Sequence, residues 1–248
     1  MQQTFDKKAQ AWLKYNQSAG GKLRHEVILQ HLRTHMPPAP LDILDVGGGT
    51  GELSADLARV GHAVTLLDLA PAMIEEARRY CAGLNVTLMC VDAGQIPALF
   101  DAGHFDVVLC HSLLAFFSDP PALLAQLAPV VRLGGLLSVV VGNRFHLPLR
   151  AALLEKDFRR AQVGLDDEIP AMDLFGLPRR TFYPAEVRRM IQACGMRVVG
   201  EYGVRVFADL LGGTLNLTPD LLALELAASE RMPYRHLARF LQFIAKKE

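Results

Sequence analysis

The sequence predicts an α/β protein built on a doubly wound, mostly parallel sheet of seven strands, with N-terminal helices and an inserted lid. Apolar segments of strand length alternate with amphipathic segments of helix length over residues 41–141. Strands as apolar as 136–141 are typical of parallel sheets, because helices cover both faces. A run of glycines directly after the first strand favours a ligand-binding crevice at the carboxyl edge of that sheet.

The composition predicts one globular domain, residues 1–248, without a strong charge bias. The chain is 51% hydrophobic, and its 26 basic residues balance its 26 acidic residues. A net charge of zero does not indicate nucleic acid, although a local patch can bind phosphates on a neutral protein. The four cysteines are isolated, and neither a signal peptide nor a membrane span is apparent. We therefore expect a cytoplasmic protein without disulfides or a membrane anchor.

Two helices are predicted ahead of the sheet, over residues 5–35, because apolar residues recur at helical spacing. Ala19–Gly21 predicts a break between them. Together with a proline-rich segment they form an expected helical cover, residues 1–40. His31 and His35 lie four residues apart on the second helix, but no third ligand is nearby. We interpret them as a solvated helix end and expect no metal site.

The predicted ligand-binding crevice belongs to a core of five strands and three helices, residues 41–141. The strands are predicted at 41–46, 63–67, 85–91, 105–110 and 136–141, and the helices at 52–60, 71–80 and 121–131. Right-handed crossovers between parallel strands bring all five carboxyl ends to one edge. Side chains at those ends are therefore the candidates for ligand binding.

The alternation is lost over residues 142–182, which we interpret as a lid or substrate insertion. It returns in a C-terminal part, residues 183–248. Here we predict a helix at 184–193, a strand within 196–207, a helix from Thr218 to near Glu230 and a last strand at 239–245. Thr218 is a favourable helix start, because a hydroxyl cap is followed by proline at the first helical position.

The glycine run at 47–51 distinguishes three kinds of nucleotide site. A P-loop requires Lys followed by Ser or Thr after the glycines, and none is present. The dinucleotide fingerprint requires a small sixth residue, where this chain has Glu52, which would also face a pyrophosphate. The third pattern, Asp-x-Gly-x-Gly-x-Gly, is complete as Asp45, Gly47, Gly49 and Gly51.

This third pattern resembles motif I of the Rossmann-like class I S-adenosylmethionine (SAM) methyltransferases. SAM has no phosphate, so the glycines serve to let the backbone approach its methionine and ribose parts. Asp68 ends the second strand, where it can accept the ribose hydroxyls; the alternative is a cap for the helix that begins at Pro71. The resemblance implies that Asp92 and Ala93 hold the adenine and that His111 lies near the sulfonium.

The flanking segments are similar to the bacterial tRNA 5-carboxymethoxyuridine methyltransferase family, which methylates a carboxylate on a modified wobble uridine. The similarity covers about residue 5 to the end and is carried by Phe5-Asp6, Gly21–Arg24, Leu44–Gly49, His111, Asp119-Pro120, Arg132–Gly135, Gly142-Asn143, Tyr202–Phe207, Leu224–Leu226 and Pro233-Tyr234. It implies SAM as the cofactor and the tRNA anticodon loop as a partner. The cofactor site would contain Arg24, Asp45, Gly47, Gly48, Gly49, Asp68, Leu69, Asp92, Ala93 and His111.

The acceptor remains open at this point. Residues 165–173 (LDDEIPAMD) are acidic where the family has a lysine-rich run, and acidic residues repel phosphates. Arginine pairs at 159–160, 179–180 and 188–189 either compensate for this or form ordinary solvated surface. The alternative acceptor is a small molecule, such as a quinone-like ring. A SAM-binding protein without catalysis is the third hypothesis.

We predict no general base for a carboxylate acceptor, because a group with a pKa near 4 is already ionised at neutral pH. His111 is expected to contact the cofactor and shape the cleft. A base role applies only to a hydroxyl or amine acceptor, and a core histidine is the third interpretation. Arg24 is expected to clamp the carboxylate of SAM. Arg144 and Arg205 are candidates to position the acceptor carboxylate, although Arg205 fits an ion pair at a strand edge equally well.

Overall fold

The computed structural model describes residues 9–38, 40–166, 171–172, 178–211 and 215–248. Its strands are β1 (Asp42–Val46), β2 (Ala63–Asp68), β3 (Val86–Cys90), β4 (Phe105–His111), β5 (Val131–Gly142), β6 (Ala171–Met172), β7 (Pro178–Arg179), β8 (Met196–Val204) and β9 (Phe240–Lys247). Seven of them form one sheet in the order β3-β2-β1-β4-β5-β9-β8, and β6 pairs with β7. Within the large sheet β9 is antiparallel to both neighbours, and the other pairs are parallel. The predicted mostly parallel sheet is confirmed.

Helices cover both faces of this sheet, as a doubly wound fold requires. They are α1 (Ala9–Gln17), α2 (Ala19–His35), α3 (Glu52–Arg59), α4 (Pro71–Tyr80), α5 (Ile96–Leu99), α6 (Pro120–Val130), α7 (His146–Leu153), α8 (Phe158–Asp166), α9 (Pro184–Ala193), α10 (Pro219–Ser229) and α11 (Tyr234–Leu237). One apolar cluster packs α6 and α9 on β4, β5 and β9, and a second packs α2 and α3 on the opposite face. Within the described ranges no helix is long and apolar enough to cross a membrane.

The break between the first two helices lies at Ser18, so the prediction of a break at Ala19–Gly21 is wrong. Ser18 caps α2 by accepting a hydrogen bond from the amide of Gly21 at 3.1 Å, and both glycines lie in the first turn of α2. A Cβ at Gly21 would stand 2.1 Å from the carbonyl oxygen of Tyr15. The glycine is therefore needed because α1 and α2 cross closely here, and not because the helix ends.

The strand predicted within 196–207 ends at Val204, because the backbone turns at Arg205 with a φ of +63°. The amides of Val206, Phe207 and Ala208 then donate to the carboxylate of Glu225, at 2.5, 2.9 and 2.7 Å. Two segments that carry the family resemblance, Tyr202–Phe207 and Leu224–Leu226, are thus joined through one buried acid. The acid satisfies three amides that leave the sheet, so this corner is held without strand pairing.

Residues 142–182 contain α7, α8 and the antiparallel pair β6 and β7. Of the acidic stretch 165–173, residues 167–170 and residue 173 lie outside the described ranges. Its described part includes Leu165 and Asp166, both exposed at the end of α8. The short helices α5 and α11 were not predicted, since four residues are too few for a periodic pattern.

Candidate active site

A cavity of about 360 Å³ opens at the carboxyl edge of the sheet, within the size range of small-molecule sites. The glycine loop forms one wall, with Gly47 and Gly49 at φ values of +69° and +57°. A Cβ at Gly49 would stand 3.2 Å from the indole nitrogen of Trp12, which lies on α1. The N-terminal helices therefore close over the loop, and the loop requires glycine both for its backbone conformation and for this contact.

Asp68 is held in the cavity wall by two backbone amides. Its carboxylate accepts from the amide of Gly49 at 3.0 Å and from the amide of Ala70 at 2.9 Å. The N-cap residue of α4 is Ala70, so Asp68 does not cap that helix through its first turn. The hydrogen bond to Gly49 ties the end of β2 to the glycine loop and fixes the direction of the carboxylate.

Asp45 and Gly48 lie behind the loop and outside the cavity lining. Asp45 is buried and accepts a hydrogen bond from the hydroxyl of Ser54 at 2.7 Å. Burial raises the pKa of Asp45 to about 6, and the negative charge of Asp68 adds to this rise. A Cβ at Gly48 would stand 2.6 Å from Leu66 and 2.8 Å from the carboxylate of Asp45. These two residues therefore pack behind the glycine loop and support its conformation.

The other residues predicted for the cofactor site are brought together in the lining: Arg24, Gly47, Gly49, Asp68, Leu69, Asp92, Ala93 and His111. Asp92 caps the short helical turn after β3 by accepting from the amide of Gly94 at 2.7 Å. Asp68 and Asp92 thus place two carboxylates at the end of the cavity formed by β2 and β3.

Arg24 brings a half-buried positive charge into the cavity from α2. Its Nη2 donates to the hydroxyl of Ser112 at 2.8 Å. Burial lowers the pKa of Arg24, and the positive charges of Arg205 and Arg239 lower it further, whereas Tyr15 raises it. A guanidinium stays charged even so, and a buried cation favours an anionic partner.

His111 lies at the end of β4, in the middle of the cavity wall. Its Nε2 is 2.8 Å from the hydroxyl of Ser138 on β5. Burial, followed by the charges of Arg24 and His25, lowers the pKa of His111 to about 3. The imidazole is therefore neutral at neutral pH and a weak proton acceptor.

Arg144 and Arg205 are both buried and lie outside the cavity lining, so the structure does not bring them to the site as predicted. Arg205 pairs with Asp209 at 2.5 Å and donates to the hydroxyl of Tyr15 at 3.1 Å. The ion-pair interpretation of Arg205 is thus the one that the geometry supports.

Two arginines that the sequence did not single out for this role, Arg179 and Arg239, line the cavity instead. Together with Arg24 they surround the ring of Phe240, at 5.5, 5.3 and 5.1 Å from its centroid. Asp209 forms an ion pair with Arg239 at 2.9 Å and also pairs with Arg205. We call Arg24, Arg179, Arg239 and Phe240 the arginine end of the cavity.

The two ends of the cavity differ in charge. Asp68 ends β2 and Asp92 follows β3, whereas Phe240 begins β9, which lies beyond β1, β4 and β5 in the sheet. The arginine end suits an anion. The other end offers carboxylates and loop amides that suit hydroxyl and amino groups.

A model of the methyltransferase domain matches residues 43–135. The Escherichia coli tRNA 5-carboxymethoxyuridine methyltransferase is 31% identical over 92% of this chain and 89% of its own length. A ubiquinone biosynthesis O-methyltransferase of Methylobacterium nodulans is 33% identical over 80% of this chain and 76% of its own. A SAM-dependent methyltransferase of Thermotoga maritima, described as a possible histamine N-methyltransferase, shares the fold with a TM-score of 0.69, 15% identity and full coverage of both chains.

The fold, the glycine loop and these similarities define a SAM-dependent methyltransferase of class I, with SAM as its cofactor. Within that class the chain belongs to the family of the bacterial tRNA 5-carboxymethoxyuridine methyltransferase.

Proposed function

We propose that the chain transfers the methyl group of SAM to the carboxylate of 5-carboxymethoxyuridine in tRNA and so forms the methyl ester. The observation that carries this proposal is the arginine end of the cavity. Arg179 and Arg239 offer two guanidinium groups beside an aromatic ring, which suits a carboxylate attached to a planar base. The similarity to the E. coli tRNA enzyme over nearly the whole chain supports the same acceptor.

In this proposal SAM lies along the edge of the sheet from β3 to β4. The adenine is placed against Asp92 and Ala93, and the ribose hydroxyls donate to Asp68. Arg24 binds the carboxylate of the methionine part, for which its buried charge provides a partner. The sulfonium then lies near His111, between the two ends of the cavity.

The proposed reaction is an in-line displacement at the methyl carbon. An oxygen of the acceptor carboxylate forms a bond to the methyl group with its own electron pair. The bond from sulfur to methyl breaks, and its electron pair remains on sulfur, which gives neutral S-adenosylhomocysteine. No proton moves in this step, so the contribution of the protein is alignment of the two reactants and exclusion of water.

The low basicity of His111 favours a carboxylate over a hydroxyl acceptor. Methylation of a phenol or an alcohol is assisted by a base that removes its proton. His111 is the titratable imidazole in the described part of the cavity lining, and its pKa of about 3 makes it a poor base. A carboxylate needs no such assistance.

The second candidate is methyl transfer to a small-molecule hydroxyl. It is supported by the similarity to the ubiquinone biosynthesis O-methyltransferases, which covers most of the chain as well. On this alternative the arginine end would bind an acidic substituent of a small acceptor, and the hydroxyl would enter already ionised.

Labelled SAM and two tRNA preparations separate these candidates. The first tRNA carries 5-carboxymethoxyuridine as the free acid, and the second carries unmodified uridine at that position. We expect label in the first tRNA and background in the second. Equal labelling of both tRNAs, or labelling of a quinone-like phenol and of neither tRNA, contradicts the proposed acceptor.

A further inference from the structure

A chain of buried polar side chains runs from the cavity through the sheet to the helices behind it. His111 Nε2 lies 2.8 Å from Ser138 Oγ, which lies 3.3 Å from Gln242 Nε2. Gln242 Oε1 lies 2.8 Å from His31 Nδ1, and His31 Nε2 lies 2.9 Å from Ser229 Oγ. We call these five residues the relay. The prediction of a solvated His31 is wrong, since that ring is buried between β9 and α10.

A backbone carbonyl fixes the direction of the hydrogen bonds in the relay. Gln242 Nε2 donates to the carbonyl oxygen of Ile28 at 3.3 Å. A carbonyl oxygen only accepts, so the amide nitrogen of Gln242, and not its oxygen, faces Ile28 and Ser138. Gln242 therefore donates to Ser138 and accepts from the Nδ1–H of His31.

The hydrogen bond from Gln242 to Ser138 in turn determines which partner donates between Ser138 and His111. Its side chain is fully buried in β5, its hydroxyl has one proton, and its oxygen already accepts from Gln242. In the part of the chain that the structure describes, the remaining partner of that hydroxyl is His111 Nε2. Ser138 therefore donates to Nε2, and a neutral imidazole that accepts at Nε2 carries its proton on Nδ1.

We propose that Ser138 and Gln242 are positioning residues that hold His111 as a neutral imidazole and direct its Nδ1–H to the acceptor carboxylate. Nδ1 has no hydrogen-bond partner among the described residues, and the ring lines the cavity. An N–H group stabilises an anionic oxygen and cannot remove a proton from a hydroxyl. Ser138 and Gln242 thus select acceptors that enter the cavity already ionised, and in this respect the inference rests on the proposed function.

The surroundings of His111 oppose its protonation. A second proton at Nε2 would leave the buried hydroxyl of Ser138 without an acceptor. The charged or titratable groups that act on the ring are Arg24 and His25 of α2, and they add to the effect of burial on its pKa. At the other end of the relay, burial lowers the pKa of His31 to about 4. Both rings are therefore neutral over the ordinary working range of pH.

The tautomer of His111 in the SAM-bound protein tests the proposal. Two-bond nitrogen–proton correlation spectra of protein with labelled histidine distinguish Nδ1–H from Nε2–H, and His111→Gln assigns the signal. We expect the Nδ1–H pattern, unchanged from about pH 5.5 to about pH 8.5. An Nε2–H pattern, or a titration within that range, overturns the proposal. No acceptor is present in this measurement, so its result does not depend on the identity of the acceptor.

Variants then connect the tautomer to the reaction. Ser138→Ala should remove the Nδ1–H preference and lower kcat/KM for the carboxylate acceptor roughly tenfold, the size of one hydrogen bond to a charged group, with SAM affinity unchanged. Ser229→Ala deletes an equally buried hydroxyl at the far end and should leave the His111 spectrum unchanged. An unchanged spectrum in Ser138→Ala overturns the positioning role. If His111 carries its proton on Nδ1 but the methyl group goes to a hydroxyl acceptor, the tautomer proposal stands and the proposed carboxylate acceptor is refuted.

Discussion

The two ends of the cavity are built in different ways. At the end with Asp68 and Asp92, which we call the cofactor end because we propose that SAM binds there, Gly47, Gly49 and Asp68 belong to one strand–helix–strand unit, and the amide of Gly49 donates directly to Asp68. At the arginine end, Arg24 comes from α2, Arg179 from β7 and Arg239 from the residue before β9. Their common contact is the ring of Phe240.

This difference separates what a local motif can specify from what only the assembled fold can specify. The ligand proposed for the cofactor end is SAM, which all SAM-dependent enzymes share, so a short local motif suffices. At the arginine end, Arg179 and Arg239 are proposed to match one acceptor and Arg24 to bind SAM, and these three residues are far apart in sequence. The four predictions that follow test this division, beginning with the largest expected effect.

Replacing Arg179 and Arg239 together should remove most of the recognition of the acceptor. Arg179→Gln combined with Arg239→Gln is expected to lower kcat/KM for the carboxylate acceptor roughly 1000-fold, since loss of a charged partner costs about 2–5 kcal/mol. SAM affinity measured by calorimetry should stay within about twofold. Arg197→Gln, an exposed arginine of β8 paired with Glu248, is the matched control. A parallel loss of SAM affinity would show that the two ends are not separate.

The buried carboxyl of Asp45, behind the glycine loop, should make the free energy of unfolding depend on pH. Its pKa is raised from 3.8 to about 6 in the folded protein, so its contribution is fully present below pH 3.8 and is lost as pH rises through about 6. A shift of this size corresponds to about 3 kcal/mol. Relative to Asp45→Asn, the free energy of unfolding in urea should therefore fall between pH 4 and pH 7. If the difference in free energy of unfolding between the two proteins did not change with pH, this would contradict a raised pKa of Asp45.

Asp68→Ala should weaken SAM binding by roughly 10- to 100-fold, because a hydrogen bond to a charged group contributes about 1.5–3 kcal/mol. Titration calorimetry measures this loss. Asp101→Ala changes an exposed acid outside the cavity and serves as the control. An unchanged SAM affinity in Asp68→Ala would remove the ribose assignment and with it the clearest residue of the cofactor end.

The smallest effect is expected from the cap that starts α2, the helix that carries Arg24. Ser18→Ala removes the hydrogen bond to the amide of Gly21 and should cost about 1 kcal/mol of stability. Thermal unfolding followed by circular dichroism would show it as a lower Tm. Thr34→Ala, which removes a hydroxyl near the end of the same helix, is a useful comparison. A loss in Ser18→Ala no larger than in Thr34→Ala would argue against the cap.

Much of the fold was predictable because its information is local. The helices 71–80 and 184–193 were predicted with the bounds that the structure gives, since proline at the first helical position marks their starts. Gly21 of α2 was misinterpreted because it is needed for the close contact with α1, which no pattern within one helix reveals. For Arg205 the sequence left an acceptor role and an ion pair equally open, because its ion pair with Asp209 depends on how the corner folds.

The residues of the site were likewise predictable where their pattern is local in sequence and were missed where it is not. Gly47, Gly49 and Asp68 lie close together in sequence on one strand–helix–strand unit, and the structure brings all three to the cavity lining. Arg179 was visible only as one of three arginine pairs, and Arg239 only as the residue at the start of an apolar strand. Their meeting at Phe240 depends on β9 pairing with β5 in antiparallel register, Phe240 opposite Gly142. Long-range pairing of this kind leaves no short-range signal in a single sequence.

The central claim is that the methyl group goes to a carboxylate at the arginine end, and the chemical stability of the product tests it most directly. Transfer of labelled methyl from SAM to tRNA carrying the free acid should produce an ester, because the acceptor atom is a carboxylate oxygen. Mild alkali should then release the label as volatile methanol. Label that survives this treatment would mean an ether, an amine or a carbon acceptor, and would contradict the account.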